Sequence, residues 1–368
     1  MSTHPTNDSR DQALARLMAE TGFDRAERYP LAGDASTRRY ERLVQGERRA
    51  MLMDAPFSAE SAPCPPGATV AERRLMGWNA TSRLAASRVE AFVAVAQHLE
   101  SLGLSPPKIL GADCEAGFAI LEDLGDSLYA NVIPQGADEI ALYEEAARVL
   151  AHVHAAPIPN RIEGPGGANW PILDYDALAL EVNADLFVEW LPRAADVHID
   201  DKARARWEQV RDSLIVKALG FPRAFTIRDY HAENLLWLPE RDGVRRVGLL
   251  DFQDAVRGWR AWDFAMLLHD ARRDVSYPAH EAAIRAYLDA CGASEAEFQR
   301  ELAVLGAINA MRILGIFSRL AGRDGKQRYL AFMPREWGHL SRTLEHPALE
   351  DARDFVQSVA APYLERAA

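Results

Sequence analysis

The stretch Thr226-Ile-Arg-Asp-Tyr-His-Ala-Glu-Asn-Leu-Leu-Trp237, followed by Gly248-Leu-Leu-Asp-Phe-Gln253, decides the fold. Asp229 and Asn234 lie five apart on a loop between apolar runs, and Asp251 closes the next run. The runs Leu235–Leu238 and Val244–Leu250 flank Pro239-Glu-Arg-Asp-Gly243, a hairpin signal. A hairpin here brings the Asn234 end of one strand beside Asp251. Phosphoryl transfer needs one carboxylate to orient an attacking hydroxyl and accept its proton. It also needs a carboxylate and a carbonyl-type oxygen to hold Mg2+ against the phosphates. Asp229, Asp251 and Asn234 supply one of each. A lone Asp at a loop edge ordinarily caps a turn. The joint pattern D-x4-N, apolar run, turn, apolar run, D-F is far rarer and outweighs that reading.

Outward from this core, the N-terminal part has a different texture. Residues 1–10 read as a tail, and Leu14, Leu17 and Met18 then recur at helical spacing up to Thr21-Gly22. Arg39–Val44 and Ala50–Asp54, separated by Gln45-Gly46-Glu47, predict a β-hairpin. The small-residue turn Leu31-Ala-Gly-Asp-Ala-Ser-Thr37 precedes it. Residues 56–70 carry five Pro or Gly positions and read as a loop. Phe92, Val95, Ala96, Leu99 and Leu102 mark a helix ending at Gly103, and Phe118–Leu121 a short strand ending at Glu122-Asp123-Leu124-Gly125. Beyond it helices dominate: Ile140 to Leu150, Trp207 to Ala218, and nearly everything after Asp263, where Ser294-Glu-Ala-Glu297 has capping-box spacing. The expected architecture is α+β with two lobes, a β-containing one over residues 1–123 and a mostly helical one over 124–368. A ligand would sit between them.

The 368 residues fit a two-lobed enzyme at about 150 residues per domain. With Lys plus Arg at 42 and Asp plus Glu at 54, the formal net charge is −12, which argues against coating nucleic acid. The three cysteines lie far apart with no CxxC pair, so neither a disulfide framework nor a thiolate zinc site is expected. No window approaches 18 uninterrupted apolar residues, and the polar start lacks a secretory signal. The expectation is a cytoplasmic protein with no membrane contact and no obligate protein partner.

These motifs resemble the aminoglycoside phosphotransferase-like kinases, a branch of the protein-kinase-like fold. Within it they are most similar to the anomeric sugar kinases that act on N-acetylmuramate and N-acetylglucosamine in cell-wall recycling. The resemblance runs through Ala32-Gly-Asp-Ala-Ser36 with Arg38-Arg39-Tyr40, Ile120-Leu-Glu-Asp-Leu-Gly125, Leu186-Phe-Val-Glu-Trp190, Arg228 to Asn234, Leu250-Asp-Phe-Gln-Asp254 and Ile313 to Leu320. It implies ATP and Mg2+ as cofactors and a small amino sugar as substrate. Asp229 would be the catalytic base, and Asn234 and Asp251 the metal ligands. Gly33, Asp34, Ala35, Ser36 and Thr37 would cover the phosphates with backbone N–H groups, and Glu122, Asp123 and Leu124 would form the hinge against adenine. Glu189, Trp190, Asp263 and Arg312 are the substrate-side candidates, Asp263 also as a support of the catalytic loop.

Two departures stand out. Ile227 occupies the place where kinase-like proteins usually carry His, and the strand Ala50-Met-Leu-Met53 lacks the phosphate-binding Lys. Arg39, or Arg49 at the strand start, is the expected substitute cation. His152 and His154, at i and i+2 on a helix, diverge by about 200° and are expected to pack rather than share a metal. His269 is expected to be structural, and Trp262 to belong to the core or the sugar site. Two alternatives stay open: a kinase of another alcohol of the aminoglycoside, choline or homoserine type, and a nucleotide-binding pseudokinase.

Overall fold

The computed structural model describes residues 7–31, 38–56, 65, 67–76 and 88–367. Helix α1 (Asn7–Glu20) takes in the last four residues of the expected tail. It is followed by β1 (Glu27–Pro30), β2 (Arg39–Gln45) and β3 (Arg48–Asp54). A capping box between Thr69 and Glu72 starts the short α2 (Val70–Leu75), inside what the sequence suggests is the end of a loop. Then come α3 (Val89–Ser101), β4 (Ile109–Asp113) and β5 (Phe118–Glu122). The five strands form one antiparallel sheet in the order β1-β2-β3-β5-β4. The β2–β3 hairpin and β5 agree with expectation. Strand β1 carries no alternating pattern because it is an exposed edge, held by backbone pairing to β2 rather than by a buried face.

Period-two alternation gives this sheet two unlike faces. Leu43, Ala50, Leu52, Phe118 and Ile120 pack under α1 through Ala13, Leu17 and Met18. On the other face Tyr40 pairs with Met53, and Arg42 with Met51, which is in turn beside Leu121. That second face looks into the cleft.

The chain leaves β5 through residues 123–128 and enters a region dominated by helices. These begin with α4 (Tyr129–Val132) and α5 (Glu139–Ala155) and, beyond the β6–β7 ribbon (Arg161–Glu163, Asn169–Pro171), α6 (Ala177–Trp190) and α7 (Asp201–Leu219). Strand β8 (Arg223–Thr226) pairs not with the next strand but with β11 (Val256–Trp259), while β9 (Leu235–Trp237) pairs with β10 (Val247–Leu249) as the expected hairpin. Helices α8 (Arg260–Leu268), α9 (Tyr277–Cys291), α10 (Glu295–Gly322), α11 (Met333–Leu344) and α12 (Glu350–Ala367) complete the described chain. Ser294 caps α10 by accepting the Glu297 N–H, as the sequence suggests.

Helix α10 is the spine of this region. It alone among the described helices is long and apolar enough to cross a membrane, and 89% of its qualifying window is buried inside the protein. Its Gly315 passes so close to α6 that a Cβ there would lie 2.4 Å from the Leu186 backbone. The Leu186–Trp190 and Ile313–Leu320 runs are therefore, in part, the two sides of one helix crossing. Trp262 is fully buried in the core.

Candidate active site

A loop cannot hold catalytic groups unless its backbone is pinned, and here the pin is Asp263. Its carboxylate is fully buried and accepts the main-chain N–H groups of Ile227 at 2.8 Å and Arg228 at 2.7 Å. His154 Nε2 lies 3.2 Å from the same carboxylate. Asp263 sits in the first turn of α8, which begins at Arg260, so it caps the catalytic loop rather than its own helix. It is fully buried and not among the cavity-lining residues. Ile227 is buried in the core. His154 also meets the Tyr287 hydroxyl, and His152 meets the Leu102 carbonyl, so both make packing contacts.

The loop then turns through Arg228 at φ 80, a conformation that costs a non-glycine residue energy and is kept only where its surroundings impose it. This delivers Asp229 to the cleft wall. Asn234 Nδ2 donates to the Asp229 carbonyl at 2.8 Å, and the Asn234 carbonyl accepts the Leu250 N–H at 2.9 Å. The second of these bonds ties the catalytic loop to the strand that ends in Asp251. Asp251 itself has φ 54, and it and Arg228 are the two non-glycine residues with positive φ among those described. Its Oδ1 accepts from Gln253 Nε2 at 2.9 Å and from Arg38 Nη2 at 2.5 Å. Burial pushes the Asp251 carboxyl up, but the Arg38 guanidinium and the Gln253 hydrogen bond outweigh it, so the group lies below the usual carboxylate range. Burial pushes neighbouring Asp254 up to about 6, with Asp229 and Asp251 adding repulsion.

Asp229, Asn234 and Asp251 share one cavity of about 630 Å3 between the sheet and the helices. Its inner end is apolar, with Met51, Leu121, Leu236 and Leu250 beside the 122–126 segment. The carboxylates of Glu122 and Asp123 are committed to Arg241 and Arg42, each at 2.7 Å. That leaves main-chain groups, with Leu124, as what this segment offers a ligand. The outer end is formed by α8, the turn after it, and Arg312, Ile316 and Phe317 of α10.

The arginine that lines the cavity beside Asp251 lies one residue before the one the sequence suggests. Arg39 is exposed on the outer face, and Arg49 is exposed and outside the cavity wall. Arg38, two before Tyr40 and so on the cleft face, is the arginine that reaches Asp251, and its side chain is only 8% exposed. Strand parity, once the register is known, separates the two. Glu189 is exposed, Trp190 lies against Arg193 and Arg323, and neither lines this cavity. Arg312 does line it, held by Asn309 Oδ1 at 2.8 and 3.0 Å and stacked over Trp262. His269 also lines it, stacked between His280 and His339. Burial drives the His269 pKa well below its ordinary value, so the ring is neutral. Gly33, Asp34, Ala35, Ser36 and Thr37 lie outside the described residues.

Residues 28–299 match the sequence pattern of the phosphotransferase enzyme family. Over 352 residues the chain is 51% identical to an N-acetylmuramate/N-acetylglucosamine kinase of Caulobacter vibrioides, covering 94% of this chain and 96% of that protein. A protein of the same description from Pseudomonas aeruginosa is 32% identical over 95% of this chain and 94% of its own length. Among solved structures, the ADP-bound aminoglycoside phosphotransferase APH(2'')-Ib superposes with a TM-score of 0.53 at 13% identity, covering 90% of this chain and 97% of that one. The shared architecture is the two-lobed, protein-kinase-like α+β fold.

Proposed function

The chain belongs to the phosphotransferase enzyme family, and on that premise we propose that it is an ATP-dependent kinase of N-acetylmuramate and N-acetylglucosamine, acting on the anomeric hydroxyl. The observation that carries the proposal is the meeting of Asp229, Asn234 and Asp251 in one cavity with an apolar slot on one side and Arg312 on the other. Residues 1–123 act as the nucleotide lobe and 124–368 as the catalytic and acceptor lobe.

The donor set suits Mg2+. Asn234 spends its Nδ2 on the Asp229 carbonyl, which leaves its Oδ1 for a cation, and Asp251 has Oδ2 beyond the Arg38 and Gln253 bonds on Oδ1. Both are hard oxygen ligands, and Mg2+ takes few from protein when phosphates and water supply the rest. When bound there, the ion neutralises phosphate charge. Asp229 orients the sugar hydroxyl and takes its proton. An anomeric hydroxyl is more acidic than an ordinary alcohol, so a modest carboxylate base suffices. Adenine fits between Met51, Leu121 and Leu236, reading the 122–124 main chain.

Arg38 takes the place of the missing lysine. Arg38→Ala is expected to raise the KM for ATP and lower kcat, together about 10- to 100-fold in kcat/KM, the worth of a charge-assisted contact. The KM for sugar should hold, and Arg39→Ala should behave as wild type. Steady-state kinetics decides the matter: an effect in Arg39→Ala with none in Arg38→Ala would reverse the assignment.

Phosphorus NMR of the product tests the function itself. A sugar 1-phosphate gives a doublet coupled to the anomeric proton and is lost on mild acid treatment. A 6-phosphate, or transfer only to aminoglycosides or choline, would remove the substrate and leave the kinase.

A further inference from the structure

Four arginines among the described residues line the cavity: Arg38, Arg42, Arg272 and Arg312. Three of them share their charge with a carboxylate. Arg38 pairs with Asp251, Arg42 with Asp123 and Asp126, and Arg272 with Glu233. Arg312 has no acidic partner among the described residues. Asn309 Oδ1 accepts its Nε at 3.0 Å and its Nη2 at 2.8 Å, and its guanidinium carbon lies 5.4 Å from the centre of the Trp262 ring. The third nitrogen, Nη1, has no hydrogen-bond partner among the described residues and is not closed off from solvent. The residue as a whole is half-buried and faces the acceptor end of the cavity.

This cation is fixed in place without being neutralised. Asn309, which holds it, carries no charge. Glu336 of α11 acts on Arg312, but it is fully buried with both carboxylate oxygens unpaired, and burial drives its carboxyl well above the ordinary range, so it holds its proton. The charge of Asp229 also acts on Arg312, without an ion pair, which places the cation in the neighbourhood of the base. A guanidinium drawn out of water with no counter-charge costs stability, and an anion brought by a ligand would offset that cost. Because the group is already oriented, little side-chain entropy is lost when the anion arrives.

We propose that Arg312 recognises the lactyl carboxylate of N-acetylmuramate, with Nη1 as a donor, and so sets the preference between the two sugars. This rests on the amino-sugar reading above. The lactyl ether is on C3, two ring atoms from the anomeric carbon. A sugar whose 1-hydroxyl faces Asp229 therefore turns its 3-substituent to a neighbouring wall. Ile316 and Phe317, one turn along α10, give the lactyl methyl an apolar surface on that wall. N-acetylglucosamine has a neutral hydroxyl at C3 and gains less from a cation.

The test uses the whole chain, with N-acetylmuramate, its lactyl carboxamide and N-acetylglucosamine as substrates. Wild type is expected to lose about 10- to 100-fold in kcat/KM on the carboxamide relative to the acid, the range for a hydrogen bond to a charged group. In Arg312→Gln the ratio of kcat/KM for N-acetylmuramate over N-acetylglucosamine should fall by the same factor, and acid and carboxamide should become equivalent. Arg312→Lys keeps the charge and loses the fork, so its acid-to-carboxamide ratio should lie between the two. The lysine variant carries the test if the glutamine variant folds poorly. Equal losses on both sugars, with the acid-to-carboxamide ratio kept, would give the guanidinium to a group that both sugars share and overturn the proposal. A raised KM for ATP with the sugar ratio unchanged would give it to the nucleotide and overturn it too. Wild-type enzyme that transfers phosphate to neither sugar overturns the amino-sugar reading, and this inference with it.

Discussion

Asp251→Asn is expected to abolish measurable turnover and to weaken Mg·ATP binding. Asparagine is the informative replacement for two reasons. Asp251 holds φ 54, a conformation that asparagine tolerates better than alanine, so the turn survives. An amide oxygen can also still accept from Gln253, which now lies 2.9 Å from Oδ1. What is lost is the negative charge. Under the proposed function that charge holds Mg2+ against the triphosphate, and without it the phosphate charge is left to Arg38 alone. Arg38 is itself 8% exposed and loses its counter-charge, so some destabilisation should accompany the loss. Initial rates across a Mg2+ titration, together with nucleotide binding by calorimetry, measure both effects. Near wild-type rates with an unchanged metal dependence would dismiss Asp251 as a ligand.

Asp229→Asn should act on a different quantity. Its main chain is held by Asn234, and the preceding Ile227 and Arg228 N–H groups by Asp263, so the loop keeps its shape when the side chain changes. The variant still positions a hydroxyl but cannot take its proton. A fall in kcat of about 10²–10⁴-fold follows, the usual worth of a positioned proton acceptor. ATP affinity should barely move, because Asp229 serves the acceptor. Loss of ATP binding with kcat preserved would show the roles of Asp229 and Asp251 to be exchanged. The two variants thus separate base from ligand, which activity alone cannot do.

The sequence by itself determined the local chemistry. The spacing of Asp229, Asn234 and Asp251, and the hairpin that joins them, are legible because a two-stranded turn is a short-range object. The β2–β3 hairpin, the capped α10 and the helix-rich character of the second half follow from periodicity in the same way. Strands β1 and β11 were not legible, because backbone pairing with a distant partner makes them strands, and β1 has no buried face to leave a pattern.

The tertiary structure decided which face each side chain takes and which elements meet. Arg38 and Arg39 are chemically identical neighbours, and only the folded structure puts one in the cavity wall and leaves the other exposed. Glu189 and Trp190 lie in a run that suggests a sugar site, yet they are not among the cavity-lining residues, while Arg312, Ile316 and Phe317 of α10, which crosses α6 closely at Gly315, are. Asp263 lies near a helix start in sequence, and only the fold brings its buried carboxylate to two N–H groups 35 and 36 residues back.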